Sequence, residues 1–318
     1  MTSPLVLVTS RSFSTGTVDL VAQLEAAGVT VVRAPLDHNL TAMTELLDRA
    51  AGWIAGTAPI TAEHLAAAQR LKVIARYGVG VDAVDLSAAA KYGVVVTNTP
   101  GANSDAVAEH ALALLLAALR HVVAGDRRVR AQNWTVQRTK ELKNLTVGIA
   151  GYGRIGQALA DRLRPFGTTI LAFDPMVPAA TVTATGARPC GLAELAALCD
   201  AVSLHAPGQR RIIDDTWLSA ADNLILINTA RSSLVDEGAV ARALRDGRLA
   251  SYAADEVGEG AGETESPVLA QDLTDRVILT PHSAAQTVEA VDNMGVAAVQ
   301  SVLAVLAGTT PSHVVRPA

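Results

Sequence analysis

Short runs of β-branched residues alternate with longer Ala/Leu-rich segments along almost the whole of this 318-residue chain. LVLVT at 5–9, VTVVRA at 29–34, GWIAG at 52–56, KVIAR at 72–76 and VVVTN at 94–98 read as strands, most of them separated by stretches of helical period. Parallel neighbours need a long crossover, usually a helix, so the alternation dictates parallel sheets covered by helices. From Asn103 to about Ala131 a long helical pattern interrupts it, with Asn103 or Ser104 as a plausible N-cap. A second series follows: LTVGIAG at 145–151, TTILAFD at 168–174, AVSLHAP at 201–207, LILINTA at 224–230, LASYAAD at 249–255 and VILTPHS at 277–283. Six strands with intervening helices is the count of a dinucleotide-binding doubly wound sheet. The final helix, from about Val288 to Gly308, is expected to return to the first sheet, so that two crossings join two domains and a ligand lies in the cleft between them.

Composition narrows the function classes. Half of the residues are apolar, enough for two ordinary cores. A net charge of −5 with Lys and Arg scattered offers no basic field to a polyanion, so a small metabolite is expected and nucleic acid is not. The uncharged apolar run Ala111 to Leu119 falls well short of the roughly 20 residues that span a bilayer, and no membrane partner is expected. Met1 to Pro4 carries no basic residue before the first strand, and Cys190 and Cys199 have no CxxC spacing, which together suggest a cytoplasmic, reducing setting. No metal site is expected.

Gly151-Tyr152-Gly153-Arg154-Ile155-Gly156 is a GxGxxG that follows a strand and opens a helix. The pattern alone is weak. In this context its glycines permit a tight turn, close approach of a pyrophosphate and close helix–strand packing, while the helix start offers N–H groups to phosphate. Eighteen residues after Gly156, Asp174 ends the next strand, where a carboxylate accepts from ribose hydroxyls and repels a 2′-phosphate. NAD(H) is therefore expected rather than NADP(H). A glycine-rich turn with a capping aspartate is the plainer alternative.

Three more segments end strands at the carboxyl edge, where open α/β sheets bind ligands: NTAR (228–231), AADEV (253–257) and TPHS (280–283). Arg231 would present a fork suited to a carboxylate. His282 would be a proton donor to a carbonyl reduced at neutral pH. The plainer readings pair Arg231 with an acid such as Asp236 and make His282 a helix cap. His205 is read as a wall of the cofactor pocket, and His110 as a satisfied core or hinge histidine.

GIAGYGRIG, AFDP, SLHAP, INTARSSLVDEGAV and ILTPHSAAQT, in this order and spacing, resemble the D-isomer-specific 2-hydroxyacid dehydrogenases, particularly their phosphoglycerate dehydrogenase branch. ARYGVGVDAVDL and VVVTNTPGANSDAVAEHALAL extend the resemblance, which covers roughly Leu71 to Thr287. It implies two doubly wound α/β domains: a discontinuous, flavodoxin-like substrate domain (1–98 plus 288–318) and an inserted Rossmann NAD-binding domain (99–287). A homodimer through the long helix near 103–131 is also implied. By the same resemblance Arg231 holds a substrate carboxylate and His282 is the acid or base. Gly78, Val79 and Gly80 offer backbone N–H groups to that carboxylate, an anion nest. Arg154, Ile155, Asp174, Thr229, Ala230 and Asp255 match the family's cofactor contacts, as do His282, Ser283, Ala284 and Ala285; Arg231, His205 and Ala206 are grouped with them, beside Gly151, Gly153 and Gly156.

The chain departs from the family pattern twice. The usual glutamate that orients the histidine stands five residues after the aspartate of an LDVFxxEP-like segment; counted from Asp255, that position is Gly260. Glu259 is the expected substitute, since flanking glycines ease a one-residue shift, with Glu256 and Glu263 close by. The second departure concerns phosphate: the segment IAGTAPIT (54–61) has no arginine where phosphoglycerate-type members usually carry one, leaving Arg76, Arg138 and Lys140 as possible cations. From its end at Ala318, a regulatory domain of the kind some members append is not expected. The expected activity is NAD(H)-dependent interconversion of a small anionic 2-oxo acid and its D-2-hydroxy acid. A dehydrogenase for a phosphorylated or phosphonylated substrate and an NADH-sensing binding protein are the alternatives.

Overall fold

The computed structural model describes residues 3–208, 210–258 and 266–317, so Glu259 and Gly260 lie outside the described residues. The chain divides into two compact units, Met1–Asn103 with Ala285–Ala318, and Ser104–Ala284.

In the first unit, β1 (Leu5–Val8), β2 (Thr30–Arg33), β3 (Ala50–Ala55), β4 (Val73–Arg76) and β5 (Val95–Thr97) run parallel in the order 2-1-3-4-5, the flavodoxin-like order of a doubly wound sheet. A two-residue strand, Val314–Val315, closes the β5 edge antiparallel, a feature too short to read from a pattern of alternation. Helix Val288–Leu306 packs on β3 and β4. Its 19 residues are long and apolar enough to cross a bilayer by length and composition, unlike the Ala111–Leu119 run on which the sequence reading rested. Here it is a core helix instead: Val291, Met294, Ala298, Val299 and Val302 are buried. Gly295 leaves room for Leu20, which a Cβ there would overlap, and Asp292 accepts from the Thr17 N–H at 2.9 Å and its hydroxyl at 2.6 Å.

The second unit holds β6 (Thr146–Ala150), β7 (Thr169–Phe173), β8 (Arg188–Pro189), β9 (Ala201–Leu204), β10 (Leu224–Asn228), β11 (Leu249–Ala254) and β12 (Val277–Leu279). They are parallel in the order 8-7-6-9-10-11-12. Six were expected; β8 is a two-residue addition at the edge. Alternation along each strand feeds two cores: Ile225 and Ile227 join the cluster under helices Ser104–Leu119 and Arg154–Leu163, while Leu224 and Leu226 join the one under helix Glu237–Asp246. Burial on both faces explains why these strands read as continuous apolar runs. Strand order reverses between β6 and β9, which places the switch point at the end of β6.

The long helical pattern from Asn103 is two helices, Ser104–Leu119 and Val122–Arg130, bent by 55°. His121 lies between them in the left-handed region, φ 52° and ψ 37°, and ends the first hydrogen-bond ladder. Neither proline nor any lapse in apolar period marks the break.

Candidate active site

The glycine loop sits at the switch point. Gly151 has φ +97°, and a Cβ there would press on the His205 carbonyl carbon at 2.5 Å. A Cβ on Gly156 would overlap the Gly151 carbonyl oxygen, so this glycine lets helix Arg154–Leu163 start directly against the turn. Gly153, in contrast, faces open space, and no side chain caps the helix that it begins. The first N–H groups of Arg154, Ile155 and Gly156 are thus presented as a polar cradle. Asp174, at the end of β7, accepts from the Tyr152 N–H at 2.7 Å and the Met176 N–H at 2.8 Å, which ties the loop to the neighbouring strand. Gly156→Ala is expected to cost about 1–3 kcal/mol and to lower the melting temperature by roughly 2–12 °C, with weaker NADH binding, as thermal unfolding and fluorescence titration would show.

Because β6, β9, β10, β11 and β12 pair in turn, their carboxyl ends line one edge of this unit. His205, after β9, is partly buried, and desolvation lowers it to about 4, so it is neutral near pH 7. Its Nε2 meets Ser203 Oγ at 2.9 Å. Its Nδ1, and Thr229 Oγ1 after β10, are buried polar atoms without a hydrogen-bond partner among the described residues. Unpaired polar atoms on the same sheet edge as an uncapped helix start suit a bound group that carries donors and acceptors. The edge could therefore hold a dinucleotide, the Gly151–Gly156 loop offering N–H groups to phosphate and Asp174 acceptor oxygens to a ribose, with His205, Ala206, Thr229 and Ala230 on the same edge.

Asp255, just past β11, organises the end of β12. Its carboxylate accepts from Thr280 Oγ1, from the Ser283 N–H at 2.9 Å and from the Ala284 N–H at 2.7 Å. Its backbone oxygen accepts from the His282 N–H at 2.8 Å. Burial opposes its ionisation, but hydrogen bonds from His110, Thr280, Ser283 and Ala284 outweigh that cost and hold it at about 2. His110 Nε2 lies 2.9 Å from Thr280 Oγ1 and 3.4 Å from Asp255 Oδ1, so this half-buried histidine is satisfied by polar partners and supports the strand-end loop. Wound on Asp255, the loop holds His282 at φ 52°, a conformation that a non-glycine residue keeps only when its surroundings impose it. The imidazole is about half exposed, and its Nδ1 stands 3.4 Å from Glu256 Oε2. Thr287, not His282, caps the following helix, accepting from the Ala290 N–H at 3.1 Å.

Arg231 follows β10. Asn228, which sequence reading passed over, fixes this turn: its Nδ2 donates to the Arg231 carbonyl at 2.8 Å and its Oδ1 accepts from the Ala230 N–H at 3.0 Å. The Arg231 guanidinium donates to the Ala230 carbonyl at 2.7 Å. A Cβ on Gly208 would collide with the Arg231 stem at 2.6 Å, so the loop after β9 packs against it. Asp236 is engaged elsewhere: it caps helix Glu237–Asp246 and pairs with Arg211 at 3.4 Å.

In the first unit, Gly78 has φ +140°, and its N–H donates to the Arg76 carbonyl at 2.9 Å, so the expected nest narrows to Val79 and Gly80. Arg76 is buried and donates to the Ala55 and Tyr77 carbonyls at 3.2 and 2.6 Å. It braces the loop from beneath.

Residues 112–284 match the family model described as D-isomer specific 2-hydroxyacid dehydrogenase, NAD binding domain. Over 257 residues, 78% of this chain, the sequence is 41% identical to a protein of Mycobacterium tuberculosis named D-3-phosphoglycerate dehydrogenase, of which it covers 48%. The chain thus spans about half the length of the curated relatives it matches. Among solved structures, a protein of Thermus thermophilus is 34% identical with a TM-score of 0.85, covering 98% of this chain and 99% of that one. A D-lactate dehydrogenase of Aquifex aeolicus, solved with NAD and lactic acid, is 28% identical with a TM-score of 0.84, covering 96% of each chain.

Proposed function

Since the chain belongs to the D-isomer-specific 2-hydroxyacid dehydrogenases, we propose that it reduces a small 2-oxo acid to the D-2-hydroxy acid with NADH, or runs the reverse reaction. The observation that carries this reading is the placement of Arg231 and His282 on one sheet edge with the glycine loop, each held by its own backbone clamp.

Arg231 binds the substrate carboxylate through its guanidinium fork and, by drawing electron density, polarises the adjacent carbonyl. His282 gives its proton to the carbonyl oxygen as that oxygen gains charge, and takes the proton back in the oxidative direction. When bound, NADH supplies the hydride that C2 receives. His205, held neutral by burial, lines the path and moves no proton. Asp174 keeps acceptor capacity for ribose hydroxyls and repels a 2′-phosphate, which supports NAD(H) over NADP(H). A homodimer through the helices of 104–130 and a soluble, cytoplasmic setting complete the reading.

A second reading, a phosphorylated 2-hydroxy acid as substrate, is favoured by the names of the curated relatives. Against it stand the absence of arginine at 55–58 and the use of Arg76 to bind backbone carbonyls. Rates with glyoxylate, pyruvate, longer 2-oxo acids and 3-phosphohydroxypyruvate, each with NADH and NADPH, decide between them. Turnover of an unphosphorylated acid with NADH is expected. Preference for the phosphorylated substrate supports the second reading, and NADH binding without any turnover removes both.

A further inference from the structure

We propose that Glu256 is the carboxylate that positions His282, in place of the glutamate that the family pattern sets at the position of Gly260, and that Ser232 anchors it from behind. This rests on the reading of His282 as the acid–base residue.

Three observations converge. Glu256 follows Asp255 directly, so the residue that clamps the His282 loop also fixes where Glu256 starts. Glu256 Oε1 accepts from Ser232 Oγ at 3.3 Å, and Ser232 is itself buried in the short helical turn Ser232–Leu234 after Arg231. The other oxygen, Oε2, is buried without a hydrogen bond among the described residues and stands 3.4 Å from His282 Nδ1. A buried, unpaired carboxylate oxygen facing a ring nitrogen is costly unless that nitrogen carries a proton. The contact selects the tautomer or cation with a proton on Nδ1 and leaves Nε2 to exchange a proton with substrate. The gap is a little long for a hydrogen bond, as is common for acid–base pairs before substrate arrives.

Acid position is thereby moved four residues along the chain from Gly260 to Glu256. The expected substitute, Glu259, lies outside the described residues. Among the described residues, the charged or titratable groups that hydrogen bonds or ion pairs tie to this loop are Glu256, 3.4 Å from Nδ1, and Asp255 with His110 behind it; Arg231 follows β10, with β11 between it and the strand end that carries His282. All but Glu256 are unchanged in Glu256→Gln, so that variant isolates its effect.

The test is an NMR titration of the His282 imidazole in the full chain, read without cofactor or substrate, paired with the pH profile of reduction. Removing a carboxylate next to an imidazole disfavours the cation, so Glu256→Gln is expected to move the midpoint to lower pH. Reduction needs the protonated ring, so the limb on which the rate falls with rising pH moves to lower pH by the same amount. Glu256→Asp retains part of the shift, Ser232→Ala produces a smaller one, and Glu259→Gln leaves the parent's midpoint. A parent-like titration in Glu256→Gln, or a shift in Glu259→Gln instead, overturns the assignment. The NMR readout does so even if no 2-oxo acid is turned over, which separates this result from failure of the proposed reaction.

Discussion

His282→Ala is expected to lower the rate of 2-oxo acid reduction by about 10²–10⁴-fold while NADH still binds, because a positioned general acid contributes a factor of that order. Binding survives since the glycine loop and Asp174 are held by contacts that do not include the imidazole. The left-handed backbone at His282 is imposed by Asp255 and Thr280 through main-chain hydrogen bonds, so the alanine variant keeps the loop with modest strain. Steady-state rates and NADH fluorescence titration together check the prediction. Loss of both activity and binding indicates a collapsed loop, and full activity indicates a different proton donor.

Arg231→Gln is the second large effect. A charged, bidentate contact to a carboxylate is worth roughly 3 kcal/mol, which corresponds to about a hundredfold or more in kcat/KM. Part of the loss is expected on kcat, since in the proposed reaction the same fork also polarises the reacting carbonyl. Arg231→Lys is expected to recover only a fraction, because an ammonium keeps the charge but not the planar pair of donors. Neither variant is expected to unfold the chain: the local turn is built by Asn228 and the backbone of Ala230 and Arg231. Kinetics against the best 2-oxo acid, with NADH affinity as the control, measure both. A variant that changes only KM assigns Arg231 to binding alone.

Much of this architecture is legible in the linear sequence because its determinants are local. Strand runs such as LILIN at β10 are bounded by turns, and buried on both faces they stand out against the helices. The glycine loop declares itself because only glycine fits at Gly151 and Gly156. Arg231 and His282 are recognisable from their places after strands. What the sequence leaves open depends on contacts between distant residues. The Glu256–His282 and Ser232–Glu256 pairs join positions 26 and 24 apart, and counting along one segment cannot reveal which side chain the fold turns toward the histidine. His110 looked like a core residue on an apolar helix; its partners Thr280 and Asp255 lie on other elements. The bend at His121 changes no apolar period, and β8 and the Val314–Val315 strand are too short to leave one.

The most direct measurement is transfer of deuteride from NADH labelled at the reactive C4 position to an unlabelled 2-oxo acid, followed by mass and chiral analysis of the acid formed. One deuterium at C2 of a D-2-hydroxy acid, abolished in His282→Ala, is the predicted result. Bound NADH with no label in any acid, or label in an acid of L configuration, would contradict it.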